Sequence, residues 1–176
     1  RELAAVSAAL TYEFENVDAA AVKFLESQKT PVRPSSKVLL TTQDRILEKT
    51  FARNSGIPVT PFAEIHTAQD METAMQEIGF PAFLKTSRGG YDGKGQFVLR
   101  EAEQIDQAWQ ELGPAKSLIA ESFVQFSREV SIIAVRGQDG EVKTWPLAEN
   151  HHHHGILSHS IVPAPRSEAL QPVAQD

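Results

Sequence analysis

The sequence has no cysteine among its 176 residues, which excludes disulfide bonds and thiol chemistry. It also has no run of apolar residues long enough to cross a bilayer, so a membrane partner is not expected. A basic surplus is absent as well, because the formal net charge is −6, and this argues against a general nucleic-acid binder. Together these absences fit a reducing compartment, and the cytoplasm is the expected location.

Glycine is concentrated in one place. Four of the ten glycines lie between Gly89 and Gly95, and Lys85, Arg88 and Lys94 stand among or beside them. Glycine lets backbone amides approach a ligand without a Cβ in the way, and the basic side chains supply positive charge. This combination suits a polyphosphate. On the glycines alone, a plain flexible hairpin remains the alternative interpretation.

The glycine segment joins two short apolar stretches, residues 80–85 and 96–100, which are predicted to be strands. A Walker loop needs Gly-Lys-Ser/Thr at the start of a helix, and a dinucleotide fingerprint lies between a strand and a helix, so neither fits. What remains is a hairpin that closes over phosphates like a lid. Lys85 ends the first strand, where a lone charge is costly, so it requires a protein carboxylate or a ligand phosphate as its partner.

The other predicted elements give an α+β fold, because hairpins mix with helices without a strict βαβ alternation. Further strands are predicted at residues 10–14, 117–120, 129–136, 141–145 and 155–162. Helices are predicted at residues 18–27 and 101–112, and after two capping boxes at residues 41–44 and 67–70. Gln138-Asp139-Gly140 indicates a tight turn between two strands.

Several motifs occur in one order along nearly the whole chain. They are Thr-Tyr-Glu-Phe-Glu-Asn-Val (11–17), Gln-Asp-Arg with Glu-Lys (43–49), Gly-Gly-Tyr-Asp-Gly-Lys-Gly-Gln (89–96), Arg-Glu-Val-Ser (128–131) and Glu-Asn before Gly-Ile-Leu (149–157). In this order they resemble the N(5)-carboxyaminoimidazole ribonucleotide synthetases, the ATPase subunits of phosphoribosylaminoimidazole carboxylase, within the ATP-grasp superfamily. The glycine string is the specific part of the resemblance.

The resemblance implies the central region of an ATP-grasp fold, which holds ATP between two α+β subdomains. It divides the chain into the end of an N-terminal domain (1–34), a linking helical part (35–79), a lid subdomain (80–146) and the start of a C-terminal catalytic subdomain (147–176). Relatives have a glycine-rich domain before this region and magnesium-binding acids after it. We therefore expect that these 176 residues alone do not carry out full turnover.

The resemblance also implies which residues bind ATP. Lys85 would contact phosphate, residues 90–96 would form the lid, residues 121–124 the hinge beside adenine, and Glu129 would accept hydrogen bonds from the ribose. His152 would line the nucleotide site. The full set is Lys85, Gly90, Tyr91, Asp92, Gly93, Lys94, Gly95, Gln96, Glu121, Ser122, Phe123, Val124, Glu129 and His152.

The implied reaction is the carboxylation of 5-aminoimidazole ribonucleotide by ATP and bicarbonate, through carboxyphosphate, in purine biosynthesis. Its Mg²⁺ is expected to bind residues outside this chain, and a homodimer is implied for the full-length enzyme. No protein nucleophile is needed, so no catalytic residue is assigned. The ribonucleotide would border Glu13, Tyr91, Asp92 and Lys94.

Two features of the sequence raise separate questions. Residues 151–154 are four histidines, but neighbours on an extended chain point to opposite faces, so one functional histidine is expected and not a zinc site. Relatives carry a basic ATP contact before Gln43, where the nearest basic residue here is Lys37.

Two alternatives stay open: another ATP-grasp carboxylate–amine ligase, such as a formate-dependent purine enzyme, and a non-catalytic nucleotide-binding module.

Overall fold

The computed structural model describes residues 2–90, 95–113, 117–153 and 155–176. Its helices are α1 (Glu2–Val6), α2 (Ala19–Ser27), α3 (Ser36–Thr42), α4 (Arg45–Asn54), α5 (Ala68–Ile78), α6 (Ile105–Leu112, preceded by a 3-10 turn at Ala102–Gln104) and α7 (Leu170–Gln175). Its strands are β1 (Phe62–Ile65), β2 (Ala82–Thr86), β3 (Gln96–Leu99), β4 (Leu118–Ser122), β5 (Glu129–Ser131), β6 (Ala134–Arg136), β7 (Val142–Thr144), β8 (Ala148–His153) and β9 (Ile156–Ile161). This mixture confirms the α+β class. Across the described ranges, no helix has both the length and the apolar character needed to span a membrane.

The chain forms two compact units, Arg1–Phe123 and Val124–Asp176. The first unit contains a four-stranded antiparallel sheet in the order β1-β4-β2-β3. Because strand side chains alternate between faces, Leu84 of β2 and Leu118 of β4 point to the same side. There they join Ile65, Met71 of α5 and Leu99 in the main core, all of them fully buried. The division into four parts at residues 34, 79 and 146 follows family resemblance and not compactness, and it stays a prediction.

A smaller core lies under α2 and α3, where Val22, Val32 and Leu39 are buried together. The predicted strand at residues 10–14 is wrong, since only Leu10 pairs, in an isolated parallel bridge with Val32. The alternating apolar residues of this segment, Leu10 and Tyr12, pack against the small core and do not join a sheet. Apolar alternation there reflects packing on helices.

The two capping boxes had different outcomes. The box predicted at residues 67–70 is confirmed, because the Thr67 hydroxyl accepts from the Asp70 amide while the Asp70 carboxylate accepts from the Thr67 amide. The box predicted at residues 41–44 is wrong, since Thr42 ends α3. Asp44 alone caps α4, accepting from the amides of Ile46 and Leu47 at 3.0 and 3.3 Å.

The second unit has a three-stranded antiparallel sheet in the order β5-β8-β9 and a two-stranded ribbon of β6 and β7. The predicted strand at 129–136 is wrong as one element, because its halves β5 and β6 belong to different sheets. The predicted tight turn is present, with the Gly140 amide donating to the Gly137 carbonyl at 3.0 Å. Strand β8 was not predicted, since consecutive histidines give no apolar alternation.

Candidate functional site

The face of the first unit's sheet that points away from the main core carries charged and aromatic side chains. Phe83 and Lys85 alternate with the core residues of β2, and Glu121 does the same on β4. Phe83 lies opposite Glu121 and Lys85 opposite Ile119, so Lys85 reaches Glu121 diagonally. The Lys85 Nζ donates a hydrogen bond of 2.8 Å to Glu121 Oε2.

Helix α4 lies against the same face through a stripe of three cations. Arg45, Lys49 and Arg53 are spaced four residues apart and therefore share one side of the helix. Lys49 Nζ is 3.6 Å from Glu121 Oε1, and the Arg53 guanidinium lies 4.7 Å from the centre of the Phe62 ring. We did not predict this stripe from the sequence, although the four-residue spacing of the cations was its signal.

The cluster of Lys49, Lys85 and Glu121 has more positive than negative charge. The Glu121 side chain is only 8% exposed, whereas the lysines are 23% and 27% exposed. A buried carboxylate requires compensation, and here each of its oxygens faces a different ammonium group. The partner that Lys85 needs within the protein is therefore a carboxylate, and the cluster keeps one net positive charge that an anion could neutralise.

The N-terminus of α4 also holds the beginning of the glycine segment. The Arg45 guanidinium donates to the carbonyls of Thr86 and Gly89 at 2.9 and 2.7 Å, and the Arg45 amide donates to the Ser87 carbonyl at 2.9 Å. Arg88 Nε donates to Asp44 Oδ2 at 2.9 Å. Arg45, which holds the base of the loop, lies two positions after Gln43, and Lys37 is exposed.

The hairpin between the two predicted strands is confirmed. Lys85 pairs with Gln96 across β2 and β3, and the Thr86 amide donates to the Gly95 carbonyl at 2.9 Å. Gly95 has φ of +74°, and a Cβ there would lie 3.0 Å from Thr86 Oγ1, so the close of the hairpin requires glycine. The tip residues that the resemblance assigns to the lid, namely Tyr91, Asp92, Gly93 and Lys94, fall outside the described residues.

A polar pocket of about 330 Å³ adjoins the base of the loop. Its lining includes Glu15, Asn16, Gln43, Arg45, Gly89 and Gly90. The side-chain amide of Gln43 donates through Nε2 to the carbonyls of Glu15 and Val17, which ties the motif at residues 11–17 to the start of α4. Glu13 is exposed two residues before Glu15, in a segment without regular structure. The pocket therefore brings residues of three family-like motifs together, those at 11–17, 43–49 and 89–96.

The predicted hinge segment leaves the same sheet. The amides of Ser122 and Phe123 donate to the carbonyls of Pro61 and Pro81, at 2.9 and 3.2 Å, so neither amide is available to a nucleobase. The Phe123 ring stacks on Phe83 with the ring centres 5.8 Å apart, and Lys85 Nζ lies 5.3 Å from the centre of Phe83. An aromatic surface thus adjoins the lysine. Val124 is half exposed and begins the second unit.

The second unit brings together two further residues of the predicted site. Glu129 of β5 lies opposite Asn150 of β8, and its Oε1 is 3.6 Å from His152 Nδ1. Both side chains are about 40% exposed. His151 is turned the other way, with its ring stacked on His159 at 4.7 Å between ring centres. His152 is thus placed beside Glu129.

A glycine hairpin joins two strands at one edge of an antiparallel sheet, and a lysine lies at its base, where an apolar strand ends. This arrangement is the one expected of an ATP-grasp fold. Residues 50–176 match the ATP-grasp domain family, and the chain belongs to that family.

More particularly, the chain is 44% identical over 176 residues to N5-carboxyaminoimidazole ribonucleotide synthase of Bacillus subtilis, covering 100% of this chain and 46% of that protein. A solved ADP complex of N5-carboxyaminoimidazole ribonucleotide synthetase is similar, with 40% identity, a TM-score of 0.91, and coverage of 99% of this chain and 46% of the other.

A complex of the Aspergillus clavatus synthase with ADP and 5-aminoimidazole ribonucleotide has 27% identity and a TM-score of 0.88, and covers 99% of this chain and 45% of the other. The resemblance drawn from the motifs is confirmed. The chain spans about half the length of the curated relatives it matches.

Proposed function

We propose that this chain serves the ATP- and bicarbonate-dependent carboxylation of 5-aminoimidazole ribonucleotide to N5-carboxyaminoimidazole ribonucleotide. The observation that carries the proposal is the position of Lys85, whose ammonium group lies at the end of an apolar strand and at the base of the glycine hairpin. The names of the similar proteins and the ligands in their solved complexes support the same substrates.

In this proposal each predicted site residue has its own task toward the nucleotide. Lys85 neutralises phosphate charge, and the amides and cations of residues 90–96 close over the phosphates. The hinge at residues 121–124 lies beside adenine, where the stacked rings of Phe83 and Phe123 offer an aromatic surface. Glu129 accepts hydrogen bonds from the ribose hydroxyls, and His152 lines the site next to it.

The chemistry needs positioning more than it needs a protein nucleophile. A bicarbonate oxygen attacks the γ-phosphorus of ATP, ADP leaves, and carboxyphosphate forms. The exocyclic amine nitrogen of the ribonucleotide then attacks the carboxyl carbon, the C–O bond to phosphate breaks, and the nitrogen loses a proton. The protein neutralises charge, aligns the reactants and excludes water. We propose Glu13, Tyr91, Asp92 and Lys94 as residues that border the ribonucleotide.

Phosphoryl transfer of this kind uses Mg²⁺ to neutralise phosphate charge. In the ranges that the structure describes, no group of three or more histidine or acidic side chains is arranged to hold a metal ion. None of the described residues is therefore assigned to Mg²⁺.

The test replaces Lys85 by methionine in the full-length protein, which keeps an unbranched side chain one atom shorter and removes its charge. We expect ADP affinity, measured by calorimetry, to fall at least about tenfold, because a charge-assisted contact is lost. Lys143→Met is the matched control, since Lys143 is exposed and pairs with Glu141, next to the second unit's ribbon. Unchanged ADP affinity in Lys85→Met would refute the proposed phosphate contact.

The substrate is tested separately by ATP hydrolysis. We expect hydrolysis to be stimulated by 5-aminoimidazole ribonucleotide together with bicarbonate. Stimulation by a glycinamide ribonucleotide in its place would indicate another carboxylate–amine ligase. If the protein binds ADP but hydrolyses no ATP in the presence of any of these substrates, it is a nucleotide-binding module.

A further inference from the structure

Lys49 shares Glu121 with Lys85, yet nothing in the proposed function uses it. Its Nζ lies 3.6 Å from Glu121 Oε1, while Lys85 Nζ donates to the other oxygen at 2.8 Å. The two lysines come from different elements, α4 and β2, and meet only at this carboxylate. One buried anion is therefore held by two cations, of which Lys85 is the closer.

The burial of Glu121 limits what Lys85 can do. The Glu121 side chain is 8% exposed, so water solvates it poorly. Without a cation beside it, its carboxylate would be an uncompensated buried charge. If Lys85 served Glu121 alone, each contact that Lys85 made with a phosphate would be opposed by that loss. A second cation that stays with Glu121 compensates its charge, so Lys85 can contact a phosphate without leaving the carboxylate unpaired.

We propose that Lys49 is a positioning residue that keeps Glu121 compensated while Lys85 moves its hydrogen bond from the carboxylate to a nucleotide phosphate. The inference rests on the proposed function, since it takes Lys85 as the phosphate contact. Lys49 approaches Glu121 from the helix and Lys85 approaches from the strand, so one can leave without displacing the other. Before nucleotide binds, Glu121 acts as the counter-ion of both.

Two other roles for Lys49 predict different behaviour. As a direct phosphate ligand, Lys49 would contribute to affinity whether or not residue 121 is charged. As a simple ion pair between helix and sheet, it would change stability and leave nucleotide affinity unaltered. Only the proposed role makes the effect of Lys49 on affinity depend on the charge of Glu121, and a double-mutant cycle measures this dependence directly.

The experiment measures ADP affinity by calorimetry in the full-length protein, in magnesium-containing buffer, for Lys49→Met, Glu121→Gln and the double variant. We expect Lys49→Met alone to weaken ADP binding about tenfold, since Lys85 is then retained by the carboxylate. In the Glu121→Gln background the same change should weaken binding by no more than about twofold. Lys49→Arg should restore most of the affinity, and Lys143→Met, an exposed residue of the second unit's ribbon, is the control.

Two results would overturn the inference. An equal loss in both backgrounds would make Lys49 a direct contact, and unchanged affinity in Lys49→Met would make it a structural ion pair. If Glu121→Gln does not fold, as its melting curve would show, Glu121→Met replaces it, because the two lysine side chains left without the carboxylate are 23% and 27% exposed and keep contact with water. Lys85→Met keeps the two proposals distinguishable: a loss of affinity there, without the expected coupling, rejects only the role of Lys49.

Discussion

Each unit of this protein contains a charged cluster around a glutamate, and the two clusters differ in charge balance. Glu121 in the first unit faces two ammonium groups, so the cluster has a positive surplus on an accessible sheet face. Glu149 in the second unit pairs with Arg128, whose guanidinium also donates to the carbonyls of Pro165 and Arg166. That guanidinium is committed to groups within its own unit.

The comparison shows which charged cluster is fitted to bind an anion. A cluster whose cation pairs with carboxylate and carbonyl oxygens of its own unit stabilises the chain around it, as Arg128 does for the segment after β9. A cluster with an excess cation is completed only by a further anion. The polyphosphate of a nucleotide is such an anion, and the glycine hairpin lies beside the cluster that lacks one.

The two clusters also differ in how well the residues beneath them are buried. Substitutions of those residues should have the largest effect on the free energy of unfolding. Leu84 is fully buried beneath Lys85, whereas Leu157 of β9 is 53% exposed. We expect Leu84→Ala to destabilise the protein by about 2–5 kcal/mol and Leu157→Ala by less than about 0.5 kcal/mol. Urea unfolding measures both. Similar losses in the two variants would mean that the first unit's sheet is not the better supported.

The second expected effect tests whether the Arg128 cluster is structural. Arg128→Met removes hydrogen bonds to one carboxylate and two carbonyls and leaves Glu149 largely buried, with its side chain 19% exposed. We expect a loss of about 1–3 kcal/mol, seen as a lower melting temperature.

ADP affinity should stay within about twofold of the unmodified protein in the same variant, since the guanidinium is committed within its unit. Arg136→Met, on the exposed ribbon strand β6, is the control. A tenfold loss of ADP affinity without a change in melting temperature would make Arg128 a ligand contact and end the distinction between the clusters.

Sequence reasoning succeeded where the signal was local. The glycine string placed the hairpin, and the lysine at the end of residues 80–85 was correctly expected to need an anionic partner, which proved to be Glu121. The box at Thr67 and Asp70 was found because both of its partners lie within four residues.

The failures were cases in which distant residues decide the structure. The role of Lys49 depends on Glu121, 72 positions along the chain, and the division of residues 129–136 depends on which strand each half pairs with. Strand β8 forms because β5 and β9 flank it, not because of its own histidines. Arg45 was missed for the same reason, because the carbonyls of Thr86 and Gly89 to which it donates lie 41 and 44 positions along the chain.

The smallest expected effect lies in the first unit but outside its charged cluster, at the capping box of α5. Hydrogen bonds from the amides of His66 and Thr67 lower the pKa of Asp70 from its ordinary value. A carboxyl whose pKa is depressed on folding adds stability above its unfolded pKa and loses that contribution as the pH falls through the folded value. Asp70→Asn should therefore destabilise the protein at neutral pH, and the difference should shrink as the pH falls from about 5 to about 2.

Melting curves of the two proteins across that range measure the difference directly. A difference that stays constant with pH would mean that the geometry of the cap matters and its charge does not. That result would sharpen the contrast between a helix end arranged around hydrogen bonds and the cluster of opposite charges at Glu121.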